Sequence, residues 1–231
     1  MPKIQPLIIT LDGPAGVGKS TVAQNLAHFL RLAYLDTGAM FRAVALHLGE
    51  GSWTWPQKTL QSALNAIDFH FAGQGPAAQL TINNQHIGQE IRSEEIGLWA
   101  SHLGQRPEVR DSLKRAQQEI GRKTSLVAEG RDMGSVVFPD ARWKFFLDAT
   151  PEERARRRWL QLKAMGHNAD LGTLTRDLRR RDEQDRNRSE APLRPAPDAY
   201  VVDTTHLNLQ QVEDKLRKLI QETHGPSESG S

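Results

Sequence analysis

The chain has no cysteine in 231 residues. That excludes disulfides, a thiol nucleophile and any thiolate metal site, and it agrees with a cytoplasmic protein. No apolar run approaches the roughly 18 residues needed to span a membrane, so no membrane partner is expected. The first residues carry no basic stretch ahead of a long apolar one, which gives no expectation of a secretory signal. No internal repeat is present. Net charge is also small, formally +2.

What is present suits a folded enzyme. Hydrophobic residues make up 38% and charged residues 25% of the chain, enough for a proper core. The length fits one large domain, or one domain with insertions. Arginine is unevenly spread: 11 of 21 fall between Arg154 and Arg194. Such a field points to an anionic partner, either nucleic acid or a nucleotide carrying several phosphates. Asp and Glu are interleaved there, so a salt-bridged, solvated helical face explains the same run.

The most specific motif is Gly13-Pro14-Ala15-Gly16-Val17-Gly18-Lys19-Ser20, followed by Thr21. It matches G-x-x-x-x-G-K-[ST], with a buried strand before it and an amphipathic helix after it. The glycines let successive N–H groups point at phosphate oxygens, and the helix adds its positive end. This spacing makes residues 13–21 the expected site for a nucleotide's phosphates. Lys19 reaches the β- and γ-phosphates, and the Ser20 hydroxyl holds Mg²⁺. A guanine-reading N-K-x-D motif is missing, which disfavours a GTPase.

Five apolar segments read as buried parallel strands: Leu7–Asp12, Ala33–Asp36, Ser125–Glu129, Lys144–Asp148 and Ala199–Asp203. Each ends in an acidic residue. Helical patterns fall between them, over Thr21–Leu32, Pro107–Ile120, from Pro151, from Leu171, and over Leu209–Thr223. Thr150 reads as an N-cap, with Pro151 at the first position and Glu153 completing a capping box. The alternation implies an α/β fold with an open five-stranded parallel sheet flanked by helices. Ligands of such sheets bind beyond the carboxyl ends of the strands. Residues 67–87 break the pattern and predict a small antiparallel sheet, with Ile67, Phe69 and Phe71 on its buried face and Asn83-Asn84 as a turn. The polar tail 224–231 is expected to be disordered.

A third constellation is Arg181-Asp182-Glu183-Gln184-Asp185-Arg186-Asn187-Arg188. Arg181, Asp185 and Arg188 follow i, i+4, i+7 and share one helical face. Arginine forks suit phosphate oxygens, and a carboxylate suits ribose hydroxyls. A plain surface ion pair has the same spacing.

Taken with the phosphate loop, the segment Asp36-Thr37-Gly38-Ala39-Met40-Phe41-Arg42, GRDMGSVVFPDA at 130–141, RDEQDRNR at 181–188 and the hairpin insert, the chain resembles the bacterial cytidylate kinases, a branch of the nucleoside monophosphate kinases. The similarity runs over about residues 7–220. It implies a P-loop kinase domain with core segments at about 7–36, 106–150 and 176–220. A monophosphate-binding insert is implied at about 37–105, and a helical lid at about 154–175. It further implies transfer of the ATP γ-phosphoryl group to CMP or dCMP; a monomer is expected. Asp132 with Ser101 would read the cytosine amino group and Arg110 the acceptor edge. Arg42 and Arg131 would grip the acceptor phosphate beside Arg181, Asp185 and Arg188, with Thr37 near the base. Phe41 departs from the family, which usually has tyrosine there, so a phenolic contact to the acceptor phosphate is lost.

The acceptor is a phosphate with a second pKa of ~6, already mostly ionised, so no general base is needed. Charge must come instead from Lys19 and from the lid arginines Arg154, Arg157 and Arg158. Arg156 precedes these last two; spacing does not decide which of the four point inward. Three other readings share parts of this pattern: a kinase for another pyrimidine monophosphate, a kinase for a small metabolite, and an arginine-rich nucleic-acid-binding module.

Overall fold

The computed structural model describes residues 5–188 and 190–222. The tail at 224–231 lies outside them. In chain order the elements are β1 (Ile8–Asp12), α1 (Lys19–Leu30), β2 (Ala33–Asp36), α2 (Thr37–Leu48), α3 (Gln57–Asn65), β3 (Phe69–Ala72), β4 (Gln79–Ile82), β5 (Gln85–His86), α4 (Glu94–Leu103), α5 (Pro107–Lys123), β6 (Leu126–Glu129), β7 (Trp143–Asp148), α6 (Pro151–Ala164), α7 (Leu171–Arg186), β8 (Tyr200–Asp203) and α8 (Leu209–Glu222).

The central sheet has the order β2-β6-β1-β7-β8, and every pairing is parallel. Its strands are mostly apolar and buried up to their acidic carboxyl ends because helices cover both faces. On one face Ile9, Leu11, Phe145 and Val202 pack under α1 and α8. On the other, Leu35, Leu126 and Ala128 pack under α2, α4 and α5. β1 sits in the middle with β6 on one side and β7 on the other, so the chain direction of winding reverses beside it. The loop after β1 therefore opens into the crevice of the sheet.

The insert after β2 forms the expected antiparallel sheet, β3-β4-β5, with Phe69 opposite Ile82 and Phe71 opposite Leu80. Asn83 and Asn84 take positive φ at its tight turn. Around it lie α2, α3 and α4, which the strand–helix pattern does not anticipate. Asp36 is the reason α2 begins at once: its carboxylate caps the Ala39 N–H.

The capping box at α6 is only half formed. The Thr150 hydroxyl accepts from the Glu153 N–H, but the Glu153 carboxylate turns to Arg156 and Arg157 instead of returning to Thr150. α7 also ends earlier than the i, i+4, i+7 reading requires. Its last residue is Arg186, so Arg188 stands beyond the helix.

Candidate active site

The loop after β1 is built by backbone constraint. Gly13 has φ +146, and a Cβ there would lie 2.1 Å from the Leu147 carbonyl oxygen. Gly18, at φ 97, caps α1 with no side chain of its own. Pro14, Ala15 and Val17 are buried, whereas Gly16, Gly18, Ser20 and Thr21 are exposed to the crevice. Lys19 is buried, and its Nζ donates to the Pro14 carbonyl at 2.8 Å. Burial lowers its pKa from the ordinary 10.5 to about 7; the Arg131 and Arg181 charges act the same way, against Glu129 and Asp12.

Ser20 meets a carboxylate from far along the chain: its Oγ donates to Glu129 Oε1 at 2.8 Å. Glu129 ends β6, and its carbonyl accepts from the Thr37 hydroxyl at 2.7 Å. Burial, then the charge of Asp36, raises the Glu129 pKa. Its Oε2 is buried with no hydrogen-bond partner among the described residues. A hydroxyl beside a carboxylate oxygen with spare capacity fits a Mg²⁺ ion that takes most of its ligands from substrate phosphates and water. Among the described residues no group of three or more His, Asp or Glu forms a protein-only metal cage.

Sequence reasoning assigned no role to Glu129 or to Asp12. Asp12 holds the loop after β6 by accepting from the Met133 and Gly134 N–H groups, each at 2.8 Å. Burial raises its pKa from 3.8 to about 6 in spite of those two bonds. The one available signal was that strands neighbouring β1 end in acids.

Arginines from four different segments gather around Arg181, which with Arg131 acts on Lys19. Burial lowers the pKa of Arg181, and so do the charges of Arg131, Arg42 and Arg188, against Asp185. Arg42 and Arg188 are lowered as well, by burial first. Arg131 Nε donates to Asp185 Oδ2 at 3.1 Å, and Arg188 pairs with Asp185 Oδ1 at 2.8 Å. Arg42 Nη1 donates to the Ile91 carbonyl at 3.2 Å. One carboxylate and several guanidiniums thus share a space that a dianion would neutralise.

Next to it, Arg110 Nη2 donates to Asp132 Oδ2 at 2.5 Å. Burial raises the Asp132 pKa, and the charges of Arg110, Arg188 and Arg131 oppose this. Phe41 lies under Arg110, its ring centroid 5.9 Å from Cζ. Ser101 is exposed on α4. Gly97 and Gly104, on the same face of that helix, have the Arg42 guanidinium and the Phe41 ring as their nearest side chains. Ser101 therefore faces the gap between Arg42 and Phe41.

The arginines at the start of α6 separate. Arg154 does not present a free guanidinium, contrary to expectation. It is 1% exposed and donates to both carboxylate oxygens of Asp182 and to the carbonyls of Ala149 and Ala15. It clasps the phosphate loop to α7 and is not available to cover a transferring group. Arg157 donates to Glu153, to the Val17 carbonyl and to the carbonyls of Thr204 and Leu207. Arg158 is exposed, bonded among the described side chains only to Gln161, and close enough to Arg42 to lower its pKa. Arg156 pairs with Glu153 and Arg180 with Asp177 along their own helices, and Arg179 pairs with Glu152 from α7 to α6; the salt-bridged face accounts for these three.

Comparison with known proteins adds four observations. A profile described as cytidylate kinase matches residues 9–222. A cytidylate kinase of Maridesulfovibrio salexigens is 56% identical over 211 residues, 91% of this chain and 95% of that protein. One from Oleidesulfovibrio alaskensis is 54% identical over 206 residues, 89% of this chain and 94% of that protein. Among solved structures, an uncharacterized protein from Eubacterium ventriosum superimposes with a TM-score of 0.51 at 11% identity, over 93% of this chain and 98% of the other, a likeness of fold alone.

Proposed function

The chain belongs to the cytidylate kinase family, and from that premise we propose how its crevice moves the γ-phosphoryl group of ATP to CMP or dCMP, giving ADP and CDP or dCDP. What carries the reading is proximity: Lys19, the first residue of α1, lies close enough to Arg131 and Arg181 for their charges to lower its pKa. A donor triphosphate on residues 13–21 and an acceptor phosphate on Arg42, Arg131, Arg181 and Arg188 would bring their reacting ends together between these groups.

Lys19 restrains and neutralises the β- and γ-phosphates, and the exposed N–H groups of Gly16, Gly18, Ser20 and Thr21 cradle them. Mg²⁺ carried with ATP would be held by Ser20 and Glu129 and would supply further charge neutralisation. The acceptor oxygen is ionised at neutral pH, so positioning and charge do the work. Arg181 and Arg188 act on the phosphate, and Asp185 on the ribose. Asp132 and Ser101 take the two hydrogens of the cytosine amino group, and Arg110 donates to the acceptor edge. Uracil would set a carbonyl against Asp132. Such a mismatch is worth ~1–3 kcal/mol.

The hairpin α6–α7, about residues 154–175, serves as a lid within a single kinase domain over 7–220, and residues 37–105 hold the acceptor. Arg158 is the lid arginine free to reach the transferring group; Arg157, bonded to Glu153, Val17, Thr204 and Leu207, braces the phosphate loop instead. The protein acts as a monomer in the cytoplasm; no helix among the described residues is long and apolar enough to cross a membrane. One assay tests the reading: ADP release with CMP, dCMP, UMP, AMP and simple hydroxylated metabolites as acceptors. CMP and dCMP are expected to lead; equal rates with UMP, or a preferred metabolite, would refute it.

A further inference from the structure

Asp132 stands where an aspartate ordinarily spends its carboxylate on its own backbone. It precedes the single wide turn Met133–Val137, in which the Val136 and Val137 N–H groups reach back to the Asp132 carbonyl at 2.9 and 3.2 Å. The first N–H groups of such a turn have no partner within it. A leading aspartate caps them by accepting from the N–H two or three residues on. Asp132 makes no such bond. Its Oδ2 accepts from Arg110 Nη2 instead.

The capping passes to Asp12, at the end of β1. Its Oδ1 accepts from the Met133 N–H and its Oδ2 from the Gly134 N–H, each at 2.8 Å. Gly134 is two residues past Asp132, so Asp12 occupies a donor that Asp132 would otherwise use. The exchange is fixed by packing. Asp12 is 5% exposed. A Cβ on Gly134 would lie 2.8 Å from Thr10 Oγ1 and 3.2 Å from the Lys144 side chain, so the turn is pressed against β1 and β7. The charge of Asp132 is among the causes that raise the Asp12 pKa, which agrees with two carboxylates held close together.

We propose that Asp12 is a positioning residue for base choice: by capping the turn after Asp132 from the neighbouring strand, it releases the Asp132 carboxylate to face Arg110 and the acceptor base. The proposal rests on the assignment of Asp132 to cytosine. Without Asp12, two buried N–H groups stand unpaired beside Asp132. Its carboxylate relieves that cost only by turning back to them and leaving Arg110. Selection of the acceptor base thus depends on the residue just before the phosphate loop.

The experiment measures kcat/KM for CMP and UMP in the full-length protein, in Asp12→Asn, in Asp132→Asn and in the double variant, with Asp12→Ser as a second substitution. Asp12→Asn keeps the size but sets an amide donor against one of the two N–H groups. Damage to the ATP site falls on both acceptors alike and cancels in their ratio. In either Asp12 variant the CMP-to-UMP ratio should fall about tenfold, on the order of one hydrogen bond. Added to Asp132→Asn, the Asp12 substitution should leave the ratio where Asp132→Asn alone puts it, because both act through one carboxylate. A fall of less than about threefold in the folded variants overturns the proposal. So does a full further fall in the double variant, which makes Asp12 independent of Asp132, or failure of both Asp12 variants to fold, which makes it structural. A native protein with no preference for CMP over UMP would instead refute the base assignment beneath it.

Discussion

Lys19 sits where its own charge is disfavoured, and the effect has a definite sign. Its pKa in the empty protein is about 7, against 10.5 ordinarily. Between those values the unfolded chain holds more protons than the folded one, so this lysine's contribution to stability increases as pH rises through that window. A bound triphosphate restores the charge. ATP binding at pH 8 should therefore take up close to one proton, measured by calorimetry in two buffers of different ionisation heat. Lys19→Met should abolish the uptake. Lys19→Ala should lose about 10²–10³ in kcat without lowering the melting temperature. Asp132 makes a second test. Asp132→Asn exchanges one acceptor oxygen for a donor amide beside Arg110, and the CMP-to-UMP ratio of kcat/KM should fall by roughly 10- to 150-fold. If both rates fall together and the ratio holds, Asp132 positions the local backbone and does not read the base.

The elements carrying these residues differ in how much of them the sequence discloses. The loop at 13–20 and the acid-ended strands are legible because their signals are local: fixed glycine spacing, short apolar runs, an immediate helix. α2 is hidden because its cap, Asp36, doubles as the end of β2, and α3 begins with no side-chain cap at all. The role of Glu129 depends on Ser20, 109 residues away. Arg154 is the clearest case. Spacing along α6 cannot distinguish it from its neighbours, because its partner Asp182 is 28 residues further on and meets it only when α6 and α7 pack. That pairing predicts opposite behaviour for two arginines of one helix. Arg154→Met strands a buried carboxylate and should cost about 3–5 kcal/mol in denaturant unfolding, most of it recovered in Arg154→Met with Asp182→Leu. Arg158→Ala should leave stability unchanged and reduce kcat by about 10²-fold. A stable Arg154→Met protein, or an unchanged kcat in Arg158→Ala, would reverse the assignment of clasp and lid charge.

At the scale of the whole molecule, two apolar cores grip the sheet from either face, and the crevice at its reversal point is where charge collects. The charges of Arg131, Arg42 and Arg188 all disfavour the protonated form of Arg181, and Arg131 and Arg181 do the same to Lys19. Like charges held that close are a burden on the fold that any small dianion relieves. At constant ionic strength, sulfate should raise the melting temperature above its value in chloride, saturably. A site filled to 100 times its dissociation constant adds ~2.7 kcal/mol. Arg181→Met should shrink the difference, and a melting temperature indifferent to sulfate would mean the arginines form no common site. The choice of buffer then becomes part of the chemistry. With such stabilisation, protein prepared in phosphate or sulfate would carry a competitor at the proposed acceptor site. Nucleotide affinities measured there will look weaker by the factor one plus anion concentration over its dissociation constant, while the protein itself looks sturdier than it is in chloride.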